Sequence, residues 1–126
     1  MQTPDDRKYT DQHEWIRILE SGDIEIGITD YAQDALGDIV YVDLPSTGAV
    51  VAGGDTVAEI ESTKSVGEVY APVAGTVSEV NTALDDAPET INQDPYGTGW
   101  VYRLSPTAGI DDLDLLDAAA YVASLD

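Results

Sequence analysis

The chain contains no cysteine and no phenylalanine, and it has one histidine and one methionine. Without cysteine there can be no disulfide, no thiolate metal site and no cysteine nucleophile. His13 alone cannot build a histidine-rich metal centre. Cations are scarce: five lysines and arginines stand against 25 aspartates and glutamates, giving a net charge of −20 over 126 residues. The acids are spread along the chain, so nucleic acid and anionic membrane are poor partners. No apolar run approaches a membrane span, and the opening Met1-Gln2-Thr3-Pro4-Asp5-Asp6 has neither the basic nor the apolar region of a secretion signal. A soluble, cytoplasmic protein is expected. The acid pairs lack calcium-loop spacing, and the glycines at 53–54 and 97–99 lack the lysine and the strand-to-helix setting of a phosphate loop. The length suits one domain, 1–126, expected to be a monomer.

What is present is strand periodicity, concentrated around one of only two lysines. Val57-Ala58-Glu59-Ile60-Glu61 and Val66-Gly67-Glu68-Val69-Tyr70 alternate with a period of two on either side of Ser62-Thr63-Lys64-Ser65, which predicts a β-hairpin. With Thr63 and Lys64 as the central turn residues, Ala58 pairs with Val69 and Ile60 with Gly67 on the core face, while Glu59 faces Glu68 outside. Lys64 then sits at the exposed tip. Thr-Lys supplies none of the positive-φ residues that tight hairpin turns favour. A lysine there is also not surface background in so acidic a chain. The plain alternative is a solvated turn cation that offsets Glu61 and Glu68, worth a few tenths of a kcal/mol at most.

Elsewhere, residues 1–8 are polar and expected to be loose. Trp15–Ile18 and Ile24–Ile28 predict an opening hairpin around Glu20-Ser21-Gly22-Asp23. Thr29 suits the cap of a short helix over 30–36, with Gly37 as a left-handed stop. Strands are expected over 39–44, 76–80 and 100–104, with turns at 46–48 and 52–55 on either side of Val50-Val51, an acidic loop at 84–88 and a second loop at 92–99. Asp111 and Asp117 suit helix caps, so residues 110–126 read as two short helical segments, 112–116 and 118–125. Short strands at this density suggest a β-sandwich or small barrel. His13, beside Glu14, has no nucleophile near it in the sequence and reads as a structural residue.

Glu61-Ser62-Thr63-Lys64-Ser65, then Ala71-Pro72-Val73-Ala74-Gly75-Thr76-Val77 and Glu79-Val80-Asn81, resemble the lipoyl-carrying hairpin of the glycine cleavage system H protein. His13-Glu14-Trp15, the segment Gly27-Ile28-Thr29-Asp30-Tyr31-Ala32-Gln33-Asp34-Ala35-Leu36-Gly37-Asp38, and Asn92, Pro95-Tyr96 and Gly99-Trp100 are similar to that family's other signatures, in the same order. The resemblance covers roughly residues 8–107. It implies a mainly β, lipoyl-domain-like barrel-sandwich hybrid with a short internal helix and a C-terminal helical tail. It also implies a non-catalytic carrier with lipoic acid in amide linkage on Lys64, placed there by a lipoate-attaching enzyme. The implied partners are a pyridoxal-phosphate glycine decarboxylase that loads an aminomethyl group, a tetrahydrofolate-dependent aminomethyltransferase that removes the methylene, and dihydrolipoyl dehydrogenase that reoxidises the dithiol. Gly67, Val66 and Gln93-Asp94 depart from the expected pattern without touching the attachment chemistry.

The resemblance further implies a cleft in which the loaded arm rests. Glu14 and Glu68 are the candidates to hold its amine, with Trp15 as an apolar wall. Three rival readings remain at this point. A biotin carrier would characteristically place methionine on both sides of the lysine, where Thr63 and Ser65 stand. The others are an unmodified binding module of the same fold and a lipoyl relay that only passes the group on.

The charge also predicts a salt-loving source, a halophilic archaeon being the expected kind. At molar salt the Debye length is only about 3 Å, so repulsion between carboxylates such as Glu59 and Glu68 is screened. The thermal midpoint should therefore rise from dilute buffer to molar potassium chloride in melts followed by circular dichroism. A flat or falling midpoint would count against salt adaptation.

Overall fold

Alternation of apolar and polar residues accounts for most of the backbone. The structure, a computed structural model, describes residues 2–107 and 115–125. In chain order the elements are β1 (Lys8–Tyr9), β2 (Glu14–Ile18), β3 (Ile24–Ile28), α1 (Asp30–Leu36), β4 (Ile39–Asp43), β5 (Val50–Val51), β6 (Thr56–Ser62) and β7 (Val66–Tyr70). They continue with β8 (Gly75–Val80), α2 (Ala83–Asp86), α3 (Thr90–Gln93), β9 (Tyr102–Pro106) and α4 (Ala118–Ser124). A six-stranded sheet in the order β1-β2-β3-β9-β8-β5 and a three-stranded sheet in the order β4-β6-β7 enclose one core. Ile16, Ile24, Ile26 and Leu104 from the first meet Val42, Ala58, Ile60 and Val69 from the second. This is the expected mainly β barrel-sandwich with short helices.

The outer face of the large sheet is covered as well, so β3 is buried at all five positions. Glu25 lies between Arg17 and Arg103 in register across three strands, at 2.9 and 2.7 Å. Arg103 also pairs with Glu79 at 2.8 Å and stacks over Trp100. Beside this ladder Tyr9, Trp15 and Tyr121 form a second apolar cluster.

Several expectations change. Residues 2–7, read as loose, are docked. The Gln2 N–H donates to Asp30 at 2.8 Å, the Tyr96 hydroxyl donates to the Gln2 carbonyl, and Arg7 lies over the Trp15 ring at 4.7 Å. The loop expected at 84–88 overlaps a one-turn helix, α2, and another, α3, runs from Thr90 into the loop expected at 92–99; each buries a single apolar anchor, Leu84 or Ile91. The last strand begins at Tyr102 and not at Trp100, because the Thr98 and Trp100 carbonyls accept from the Asn81 side chain at 2.8 and 2.7 Å instead of a neighbouring strand. Of the helix expected over 112–116, residues 112–114 lie outside the described residues, and Leu116 forms a β-bridge with Tyr9. The second segment is helical, with Asp117 capping α4 by accepting from the Ala120 N–H. Thr29 caps α1 as expected. Gly37 ends it at φ 84, ψ −155, a glycine region but not the left-handed helical basin.

Trp15 shows how tightly the second cluster is built. Its indole N–H donates to the Pro95 carbonyl at 2.9 Å, and a Cβ on Gly27 would stand 2.6 Å from its ring. Gly27→Ala should cost about 1–3 kcal/mol through this clash. Urea titration should show the lowered midpoint, whereas an unchanged one would mean that the ring is free to move aside.

Candidate functional site

β6 and β7 pair as anticipated, with Ala58 opposite Val69, Glu59 opposite Glu68 and Ile60 opposite Gly67. The turn is closed by Ser62 N–H donating to the Ser65 carbonyl at 2.8 Å. Neither Thr63 nor Lys64 has a positive φ. The missing glycine is replaced by the Ser62 hydroxyl, which accepts from the backbone N–H groups of Ser65 at 3.0 Å and Lys64 at 3.3 Å.

The tip is anchored to the segment after α1. Thr63 N–H donates to the Asp38 carbonyl at 3.0 Å. Asn92 secures that segment: its amide donates to the Gly37 carbonyl and to Gln33 Oε1, both at 2.9 Å, and its carbonyl oxygen accepts from Ile39 N–H at 2.9 Å. Two glycines leave room. A Cβ at position 37 would come within 3.3 Å of the Lys64 Cε, and one at position 67 within 3.2 Å of the Leu36 side chain. The small residue at 67 is thus explained by the packing of β7 on α1.

Lys64 is exposed, and among the described residues its amine makes no hydrogen bond or ion pair. It does not pair with Glu61 or Glu68, as the plain reading of a charge-offsetting cation would require. Glu68 accepts from the Tyr70 hydroxyl at 2.7 Å instead. An amine that is held by its backbone and otherwise free fits acylation.

Glu14 lies elsewhere, in a cleft of about 580 Å³ lined by Asp11, Gln12, Tyr70, Leu115 and Leu116 among others. Its side chain is 1% exposed, accepting from the Thr10 hydroxyl at 3.2 Å and from the Tyr70 backbone N–H. Burial pushes its carboxyl up to about 7 against these two hydrogen bonds. Tyr70 joins the two candidate acids, since its N–H serves Glu14 and its hydroxyl serves Glu68. Trp15 does not join them. It is fully buried in the second cluster and does not line the cleft, because successive strand residues point to opposite faces. The apolar lining comes from Ala71 and Pro72 after β7 and from Leu115 and Leu116. His13 proves structural, its Nδ1 lying 2.9 Å from the Tyr121 hydroxyl and its ring against Tyr31. The anchoring roles of Ser62, Asp38 and Asn92 were not legible beforehand, although all three lie within the motifs that carry the resemblance.

A free lysine at the braced tip of a hairpin on a barrel-sandwich is the arrangement of a swinging-arm carrier domain. Among the described residues no cluster of His, Asp and Glu could hold a metal, and no helix is long and apolar enough to cross a membrane. The family model described as glycine cleavage H-protein matches residues 7–126. The glycine cleavage system H protein of Thermus thermophilus is 57% identical over 123 residues, covering 96% of this chain and 94% of that protein. That of a Psychrobacter species is 52% identical over 122 residues, covering 97% of each. A crystal structure of the H protein from Mycobacterium marinum superposes with a TM-score of 0.88 at 46% identity, over 97% of this chain and 98% of that one. The chain belongs to the glycine cleavage H-protein family. Its members carry lipoic acid on a lysine and act as non-catalytic carriers with the P, T and L proteins of the system.

The Glu14 carboxyl binds its proton more tightly in the folded chain than at its ordinary value of 4.5. Folding is therefore unpenalised by this group below pH 4.5, and the penalty grows until it is complete above about 7. Relative to the parent, Glu14→Gln should gain stability progressively over that interval, by at most about 3 kcal/mol. Denaturant titrations of both proteins at pH 5 and 8 measure the difference. A gap that does not widen with pH would show that Glu14 is not held in a desolvated site.

Proposed function

We propose that Lys64 is the lipoylated residue, and that the chain carries an aminomethyl group from glycine decarboxylase to the tetrahydrofolate-dependent aminomethyltransferase. The observation that carries this reading is the free, exposed Lys64 amine on a hairpin tip tied to Asp38. A lipoyl group supplies a dithiol that is reoxidised by dihydrolipoyl dehydrogenase. The chain supplies the rest: an acylatable amine, a rigid mount and an acidic cleft. A lipoate-attaching enzyme would meet the tip on its open side. Thr63 and Ser65, where a biotin carrier would have methionine, favour lipoyl over biotin.

Glu14 is the residue proposed to receive the cationic amine of the loaded arm. A buried carboxyl beside Tyr70 offers a charge-assisted hydrogen bond shielded from water. Glu68, exposed and bonded to Tyr70, supports the same site from the rim. The protein is proposed to act as a single-domain cytoplasmic monomer adapted to high salt. Net charge carries the last point.

Lys64→Arg keeps the positive charge but offers no acylatable amine, because the guanidinium stays protonated. Intact mass should show one lipoyl group on the parent and none on the variant, with an unchanged melting curve and complete loss of glycine cleavage in the reconstituted system. A lipoyl group found on Lys8, or carrier activity in the variant, would overturn the assignment.

A further inference from the structure

Leu115 and Leu116 are the large apolar side chains lining the Glu14 cleft, beside Ala71 and Pro72, and they come from the far end of the chain. Leu116 is tied to Tyr9 by two backbone hydrogen bonds of 2.8 Å. Immediately after it Asp117 caps α4, whose one buried residue is Tyr121. The Tyr121 ring stacks on Tyr9 with centroids 4.9 Å apart. Its hydroxyl lies 2.9 Å from His13 Nδ1 and 2.8 Å from Thr29 Oγ1.

Both partners of that hydroxyl belong to the site's own framework. Thr29 caps the helix that ends at Gly37, beneath Lys64. His13 precedes Glu14 and has φ 65, rare for a residue with a side chain. It ends the three-residue loop Asp11-Gln12-His13, closed by Thr10 N–H donating to the Glu14 carbonyl at 2.9 Å. Its left-handed backbone suits such a loop. The network is satisfied when neutral His13 accepts from Tyr121 and Tyr121 accepts from Thr29, whose oxygen in turn accepts from Ala32 N–H. One side chain thus connects the tail to the loop that aims Glu14.

We propose that the C-terminal segment is a latched wall of the arm-docking cleft, with Tyr121 as the positioning residue that holds Leu115 and Leu116 against Glu14. The inference rests on the reading of Glu14 as receiver of the amine. Two leucines beside a carboxyl exclude water from it, which strengthens its attraction for a cation and shields that cation from hydrolysis. The wall therefore prolongs the life of the loaded carrier without touching Lys64.

The test uses full-length protein in parent, Tyr121→Phe, Leu116→Ala and Glu14→Gln forms. Tyr121→Phe keeps the ring stack and removes both hydroxyl contacts. In the unmodified protein it should speed amide exchange at Leu116 and Tyr9 about tenfold while core amides such as Ile26 and Val69 keep their parental rates. Leu116→Ala leaves the latch intact and opens the wall.

The second readout is loss of ammonia from the loaded carrier in the absence of the other enzymes. Water is the only co-reactant: it cleaves the sulfur–carbon and carbon–nitrogen bonds to give thiol, formaldehyde and ammonia, with no change of oxidant or reductant. All three variants should lose ammonia faster than the parent at the same salt concentration. If Glu14→Gln quickens the loss and neither Tyr121→Phe nor Leu116→Ala does, the wall is overturned while Glu14 keeps its role. If Glu14→Gln leaves the loss unchanged, the docking reading falls and the wall falls with it. Parental exchange rates at Leu116 and Tyr9 in Tyr121→Phe would overturn the latch.

Discussion

A lysine serves as an attachment point only if its backbone is held while its amine is left free, and the three hydrogen bonds of Asn92 are central to meeting the first condition. They fix Gly37, Gln33 and Ile39 to one another, and so fix the carbonyl of Asp38 on which Thr63 hangs. Every partner is a backbone group except Gln33, so the brace does not depend on long, mobile side chains. The second condition is met by glycine. With no side chain at position 37, the Lys64 methylenes lie across the helix end, and the amine needs no carboxylate to hold it there. A salt bridge at the tip would have ordered the lysine too, but it would have competed with acylation.

The same economy of cations runs through the rest of the molecule. With five basic residues available, each arginine is used where a carboxylate or an aromatic face would otherwise be left bare. Arg17 and Arg103 neutralise Glu25, which is 2% exposed. Removing either would leave a buried charge partly unpaired, the costly half of any such pair. Arg7 caps Trp15 and Tyr96, and its guanidinium donates to the Tyr96 carbonyl at 2.9 Å. These cations hold the N-terminal strand and the large sheet's outer face, and none of this work falls to Lys64.

Much of this was legible in the sequence because period-two alternation constrains register strongly. The β6–β7 pairing could be written down residue by residue from Val57 to Tyr70, and Lys64 at the tip followed from it. The short helix after Thr29 was legible from its cap and its glycine. What could not be read were contacts between segments far apart in the chain. Composition makes residues 1–8 look loose, yet Tyr96 and Asp30, distant in sequence, hold Gln2. One-turn helices such as α2 and α3 carry too little periodicity to announce themselves. Trp15 was misplaced for a different reason. Adjacency to Glu14 suggests a shared site, but on a strand adjacent residues face opposite ways.

Glu14 is the place where the fold departs from what stability alone would choose. A carboxyl 1% exposed, with Asp11 nearby and no ion pair among the described residues, raises the free energy of the folded chain near neutral pH. Glutamine would keep the bond to Tyr70 N–H without that penalty, so the charge needs a reason outside folding. A cationic amine entering the cleft provides one. It stabilises the ionised carboxylate, lowers its proton affinity and relieves the penalty that the empty cleft imposes. The proposed docking would then exchange a proton for an ammonium group, and by linkage the affinity for the amine would weaken as pH falls below about 7, where the proton competes for the same oxygens. A neutral arm gains nothing from the exchange. On the proposed docking of the loaded arm, the cleft would discriminate by charge, and it would do so with a group whose instability in the empty protein is the source of the selectivity.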